Sequence, residues 1–246
     1  MTQRNIKLVV AYEGTAYHGF QRQNNAVSIQ QILEERLEKL FGHPIKITGA
    51  GRTDAGVHAY GQVINFLTCG SIPTDKIPVA ARGLLPDDIV IMEAEEVDSG
   101  FHARGSAKSK IYTYRLYLKK IADPFLRNMV WQVNWSLDVD AMKEAAKALT
   151  GTHDFSAFRA AGGAPVSPIR TIYSIDFSVE GPVLELTFWG NGFLYHMVRN
   201  LVGTLVEVGL KKKKPEDMER ILDSRNRKMA GMTAPAHGLY LKEVKY

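Results

Sequence analysis

The chain has 246 residues, of which 45% are hydrophobic and 23% charged, values typical of a globular protein with a sizeable core. Its single cysteine, Cys69, excludes an intrachain disulfide and a thiolate metal cluster. The formal net charge of +5 permits a polyanionic partner. The sequence has no recognisable signal segment and no uninterrupted membrane-spanning run, so a cytoplasmic protein without membrane contact is expected.

The first half of the chain predicts the element order βαββαβ. Ser28, with Gln31 three residues later, has the capping-box pattern that begins a helix, and Gly42 ends it. Alternating or β-rich segments predict strands over residues 5–12, 45–48, 61–67 and 89–97, and a further helix is predicted over 75–85.

The second half repeats this order without repeating the sequence. Strands are predicted over 110–118, 170–178, 183–189 and 239–246, and helices from Asp138 to Leu149 and over 194–208, with a short extra helix from Pro215. We therefore predict an α+β fold of two tandem ferredoxin-like βαββαβ domains with antiparallel sheets and an active-site cleft between them. The domains are expected to span 1–105, which carries the glycine-rich stretch described next, and 106–246.

The stretch GAGRTDAGVHAYGQV, residues 49–63, is too rich in glycine for regular structure and places Asp54 beside Arg52. Glycines allow tight turns and a close approach to a ligand, and Arg52 would favour the ionised form of the carboxylate. Asp54 could then act as nucleophile, general base or metal ligand. The alternative is a solvated turn with a surface ion pair.

A polar stripe interrupts the long apolar helix of the second half at His196, Arg199, Asn200 and Gly203. A buried arginine needs a carboxylate partner, for which Asp54 is a candidate. The stripe could equally form an interdomain salt bridge or face water.

Aromatic and basic residues next to each other suggest contacts with single-stranded nucleic acid. Tyr112 and Tyr114 share one face of their strand and follow Arg104 and Lys108 closely, although strand tyrosines are often only core. The glycine-punctuated loop 12–23 adds further candidates, Arg22 and Gln23. The run Lys211–Lys214 fits a solvated helix end or a phosphate contact. No motif supports a metal site, although His58 lies near Asp54.

Eight blocks stand out along the chain: YEGTAYHGFQRQ (12–23), GRTDAGVHA (51–59), LLPDDI (84–89), FHARGSA (101–107), KIYTYRLY (110–117), DFSAFR (154–159), HMVRNLVGTLVEVG (196–209) and GLYL (238–241). These blocks and their order closely resemble those of the tRNA pseudouridine synthase A family. Glu13 and Phe20 are conservative departures from the aspartate and tryptophan that are usual there.

The resemblance implies isomerisation of uridines at positions 38–40 in the anticodon arm of tRNA, by a homodimer without cofactor or metal. Asp54 matches the nucleophile, Arg52 a motif arginine that helps to flip the base or engage RNA, Arg199 the partner of the aspartate, and Tyr112 a residue that contacts the target base. We expect His58, Arg22, Gln23, Arg104 and Lys108 to contribute further RNA contacts. Attack at C1′ of the sugar and attack at C6 of the uracil remain open, and the rival functions are a non-catalytic RNA-binding protein and a nucleoside or sugar hydrolase that uses Asp54.

Overall fold

The computed structural model describes residues 3–246 and has a mixed α+β fold with mostly antiparallel strand pairing. Contacts divide the chain into two compact units. The first comprises the described residues up to Lys108 together with Tyr240–Tyr246, and the second comprises Ser109–Leu239. The last strand therefore lies in the first unit, whereas the sequence-based division places it in the second domain.

The elements are given in chain order. Up to residue 108 they are β1 (Arg4–Tyr12), α1 (Ile29–Phe41), β2 (Thr48–Gly49), β3 (His58–Thr68), α2 (Ile77–Arg82) and β4 (Ile89–Val97). After residue 108 they are β5 (Ser109–Tyr117), β6 (Trp131–Gln132), α3 (Val139–Lys147), β7 (Gly151–Asp154), β8 (Ile169–Glu180), β9 (Val183–Gly190), α4 (Met197–Gly209), α5 (Asp217–Ser224) and β10 (Leu239–Lys245).

In the first unit the strand order is β4-β1-β3-β10, and β2 pairs with β3. All these pairs are antiparallel except β3 with β10, which is parallel. In the second unit the order is β5-β9-β8-β7, with antiparallel pairs throughout, and β6 runs parallel to β5.

Helix α1 begins and ends as its sequence predicts. The Ser28 hydroxyl accepts a hydrogen bond from the Gln31 backbone N–H at 3.3 Å, and Gly42 closes the helix in the left-handed conformation with φ 74°. The Gln31 side chain donates to Glu35 rather than returning to Ser28. At its last turn, Phe41 packs edge-on against Phe66 of β3, which joins the helix to the sheet core.

The predicted strand 45–48 is largely absent, because β2 begins only at Thr48. Ile45 and Ile47 are buried as a strand pattern requires, but the Ile47 N–H donates to the Glu34 carboxylate of α1 at 3.2 Å. A side-chain acceptor thus replaces a ladder partner, which hydrophobic patterning alone does not reveal.

Candidate functional site

Asp54 is half-buried on the irregular loop 50–57, which connects β2 to β3. The Ala50 N–H donates to the Val63 carbonyl at 2.8 Å, and the Gln62 side-chain amide donates to the Gly51 carbonyl at 3.0 Å. The Val57 N–H donates to the carbonyl of Asp54 itself at 3.1 Å. Hydrogen bonds therefore fix the N-terminal end of the loop to β3, its C-terminal end continues directly into β3, and Asp54 lies in a tight turn between them.

Thr53, directly before Asp54, is buried and hydrogen-bonded to Tyr12 of β1, with 2.7 Å between Oγ1 and the phenol oxygen. Burial raises the pKa of Tyr12 to about 12, and the Thr53 hydrogen bond partly opposes this rise. Tyr12 therefore stays protonated at neutral pH and holds Thr53 from inside the core.

The loop 13–20 packs backbone to backbone against the Asp54 loop. The Phe20 N–H donates to the Thr53 carbonyl at 3.1 Å. A Cβ on Gly14 would lie 2.0 Å from the Val57 carbonyl oxygen, and one on Gly19 would lie 2.6 Å from that of Thr53. The glycines of this loop thus permit two loops to interlock, a role that sequence analysis did not assign to them.

His58 is buried at the start of β3, where its Nδ1 accepts a hydrogen bond from the Gly14 N–H at 3.0 Å. Its ring stacks on Tyr240 with centroids 4.7 Å apart. These contacts give His58 a structural task within the first unit, and its predicted contact with RNA stays a prediction.

Three residues that are predicted to contact RNA lie on the Asp54 loop or directly after loop 13–20. The Arg52 guanidinium donates to Gln21, and the half-exposed Arg22 forms an ion pair of 2.9 Å with Glu34 of α1. Gln23 donates to the His18 carbonyl at 2.6 Å. Arg52 and Gln23 are exposed to solvent, and the RNA contacts of all three residues stay predictions.

Arg104 is exposed on a segment that is fixed to the first unit. Asn65 of β3 accepts from the Ala103 N–H at 2.9 Å, and Tyr246 donates its hydroxyl to the Ala103 carbonyl at 2.8 Å. The exposed Lys108 follows, with its N–H bonded to the Lys245 carbonyl. Their cationic side chains are thus presented from an ordered backbone.

In the second unit, Tyr112 of β5 is 8% exposed and packs edge-on against Phe193, with ring centroids 5.2 Å apart. Phe193 precedes α4 in the segment NGFLYH and was missed by sequence analysis, where only an aromatic beside a glycine could have suggested it. Tyr114 is fully buried, donates to the Pro235 carbonyl at 2.8 Å, and has a raised pKa because of its burial.

The polar stripe of α4 meets the segment 231–235, which covers it. The Arg199 Nε donates to the Ala234 carbonyl at 2.8 Å, and the Ala234 N–H donates back to the Arg199 carbonyl at 3.1 Å. The Asn200 Oδ1 accepts from Arg227 and Thr233. The stripe is thus largely satisfied within its own unit, which neither tests nor replaces the predicted partnership of Arg199 with Asp54.

Two features are absent from residues 3–246. Among these residues no group of three or more His, Cys, Asp or Glu side chains is arranged to hold a metal ion. In the same range no helix is long and apolar enough to cross a membrane.

Comparison with known proteins gives a consistent result. Residues 8–104 and 145–246 match a family model described as tRNA pseudouridine synthase. The tRNA pseudouridine synthase A of Acetivibrio thermocellus is 47% identical over 243 residues, which cover 99% of this chain and 100% of that protein. The protein of the same name from Halalkalibacterium halodurans is 47% identical over 237 residues, covering 96% of this chain and 90% of that protein.

Proposed function

This chain belongs to the tRNA pseudouridine synthase family and is accordingly an isomerase that forms pseudouridine in tRNA, and we propose that Asp54 is its nucleophile. We further propose that its targets are uridines at positions 38–40 of the anticodon arm.

One observation supports the proposal most strongly: a half-buried carboxylate lies on a loop that is held by hydrogen bonds on both sides of it. Thr53 is held by Tyr12, Gly51 by Gln62, and the backbone of loop 13–20 packs on both sides of Asp54. A nucleophile gains from such preorganisation, because a displacement of about 1 Å can cost about 100-fold in rate. A solvated turn would not need it.

The reaction breaks the bond between C1′ and N1 of uridine, turns the uracil and rejoins it through C5. N1 gains a proton and C5 loses one, so atoms and electrons balance without an oxidant or a reductant. A carboxylate can trap the sugar at C1′, as in a retaining glycosidase, or add to C6 of the uracil. Either path requires the target base to leave its stack.

Tyr112 and Arg199 complete the proposed chemistry. Tyr112 would contact the uracil and help to move the C5 proton, and its edge-on contact with Phe193 limits the orientations of its ring. Arg199 would keep Asp54 ionised. This partnership rests on the sequence and on family membership.

Three further properties accompany the proposal. The family resemblance suggests a homodimer, and a tRNA substrate suggests the cytoplasm. The order βαββαβ and the antiparallel pairs of β1 with β3 and β4 support a ferredoxin-like description of the first unit.

The proposal is tested by mapping pseudouridine, nucleotide by nucleotide, in unmodified tRNA transcripts incubated with the protein. We expect pseudouridine only at positions 38–40, and no release of free uracil. Free uracil would indicate a hydrolase, and binding without product would indicate a non-catalytic RNA-binding protein.

The role of Arg199 is tested by a double-mutant cycle in urea denaturation with Asp54→Asn, Arg199→Met and the double variant. If the two residues interact, the double variant loses less free energy of unfolding than the sum of the single losses, by at least about 0.5 kcal/mol. Additive losses would show that Arg199 and Asp54 do not interact.

A further inference from the structure

Three aromatic rings form a column in the first unit close to the Asp54 loop. His58 stacks on Tyr240 at 4.7 Å with an interplanar angle of 26°, and Tyr240 stacks on Tyr60 at 5.1 Å and 10°. His58 is 1% exposed and Tyr240 3%, whereas Tyr60 is 48% exposed. The column therefore has a buried base and a half-exposed outer ring, that of Tyr60.

The column is held at its base and along its side. The His58 Nδ1 accepts from the Gly14 N–H at 3.0 Å, which fixes the innermost ring. The register of β3 with β1 shifts near Tyr60 and Gly61, and a Cβ on Gly61 would lie only 2.6 Å from the Lys242 carbonyl oxygen. This close approach of β3 to β10 brings Tyr60 beside Tyr240, and the two rings lie within 10° of parallel.

The half-exposed Tyr60 ring could have no role other than to cover the Tyr240 ring beneath it. A cover, however, needs apolar area and not a parallel flat ring. The angle of 10° instead orients the outer ring as the next member of a stack would be oriented. Lys242 follows Tyr240 by two residues on β10 and is exposed, so strand alternation places a cation on the same face of the sheet.

We propose that the exposed ring of Tyr60 is a stacking site for an unpaired base of the tRNA anticodon loop, next to the uridine that is modified. The inference rests on the proposed function. Tyr60 follows Asp54 by six residues, which limits their Cα separation to about 20 Å, a few nucleotides of RNA. When the target uridine leaves its stack, its neighbour loses a stacking partner, and Tyr60 replaces it.

The first experiment measures binding of an anticodon stem-loop RNA, and the KM and kcat for pseudouridine formation, in Tyr60 variants. Tyr60→Phe keeps the ring, whereas Tyr60→Leu keeps apolar cover and Tyr60→Thr keeps strand propensity, both without a ring. We expect Tyr60→Phe to match the wild type and the other two to weaken binding and raise KM by about 5- to 150-fold, which corresponds to one lost stack.

Tyr173→Leu is the matched control. Tyr173 is 44% exposed and lies 4.9 Å from another aromatic ring, that of Trp189, in the second unit. The Tyr173→Leu substitution should change RNA binding little. An equal loss in Tyr173→Leu and Tyr60→Leu would overturn the proposal, because exposed tyrosines would then act without regard to position.

The second experiment replaces each loop nucleotide in turn by an abasic residue. For one nucleotide other than the target, removal of the base should weaken binding to wild type and to Tyr60→Phe but have little further effect on Tyr60→Leu. Equal losses at every position in wild type and Tyr60→Leu would overturn the proposal, even if Tyr60→Leu were less stable.

The wild-type protein on the unaltered RNA separates this inference from the proposed function. If it forms no pseudouridine in the anticodon arm, the proposed function fails. If it does so while Tyr60→Leu and Tyr60→Thr retain wild-type binding and KM, only the stacking site is wrong.

Discussion

The phenol oxygen of Tyr12 lies 2.7 Å from Oγ1 of Thr53, and this buried hydrogen bond fixes the residue directly before Asp54. Tyr12 is the last residue of β1, which lies between β4 and β3, so the bond connects the candidate nucleophile loop to the sheet of the first unit. The position of the Asp54 carboxylate therefore depends on a contact that takes no part in the chemistry.

Thr53→Val should lower the free energy of unfolding by about 1–3 kcal/mol, because it leaves the Tyr12 hydroxyl without this partner at nearly constant volume. The double variant Thr53→Val/Tyr12→Phe should lose less than the sum of the single losses, since both polar groups are then gone. Urea denaturation of the four proteins measures the coupling. Strictly additive losses would mean that the hydrogen bond contributes nothing to stability.

The raised pKa of Tyr12 predicts how stability depends on alkaline pH. Because burial raises the folded-state pKa to about 12, Tyr12 contributes stability that is complete below its unfolded pKa of about 10 and is lost as pH rises through about 12. Between about pH 10 and 12, the ionisation of Tyr12 in the unfolded state should lower the free energy of unfolding by up to about 3 kcal/mol.

Tyr12→Phe should therefore show a shallower fall in the free energy of unfolding than the wild type between about pH 10 and 12, by about 1.4 kcal/mol per pH unit at most. Denaturation at several pH values measures this difference. Parallel curves would show that Tyr12 titrates normally.

Gly14→Ala should impair the enzyme far more than a surface substitution, because its Cβ would lie 2.0 Å from the Val57 carbonyl oxygen. The two loops must separate, which moves Asp54 and lowers kcat by about 100-fold if the shift reaches about 1 Å. Gly83→Ala is the control, since nothing lies within 4 Å of its Cβ and its φ is −77°. Similar activity of the two variants would refute the interlocking of the loops.

Tyr112→Phe should bind tRNA almost normally but form little pseudouridine, because it keeps the ring and removes the hydroxyl. A group that transfers a proton typically contributes about 10²–10⁴-fold in rate. Tyr112→Leu should lose the base contact as well, which stacking energies place at about 1–3 kcal/mol. Single-turnover kinetics and binding measured on the same RNA separate the two effects. A wild-type rate in Tyr112→Phe would show that the Tyr112 hydroxyl has no part in the reaction and that only its ring contacts the base.

The sequence predicted the elements with the strongest local signals. Ser28 and Gly42 define α1 because caps act through neighbouring backbone groups, and the alternation of 89–97 gives β4 with its observed bounds. Hydrophobic patterning did not reveal that Ile47 donates to Glu34, because this bond joins residues that are distant in sequence.

The sequence singled out Asp54 as a candidate but did not reveal the contacts that hold its loop. Asp54 stood out as a carboxylate among glycines, but the Gly14 and Gly19 contacts that hold its loop depend on how two loops pack. Phe193 was missed for the same reason, because an edge-on contact with Tyr112 leaves no pattern in the sequence.

The most direct test of the account replaces one carboxylate oxygen. Asp54→Asn should bind unmodified tRNA with nearly wild-type affinity and melt like the wild type, yet form no detectable pseudouridine at positions 38–40. Asp75→Asn, a surface change with the same loss of charge, should retain full activity. Pseudouridine mapping after a fixed incubation distinguishes them: substantial product from Asp54→Asn would contradict the assignment of Asp54 as nucleophile.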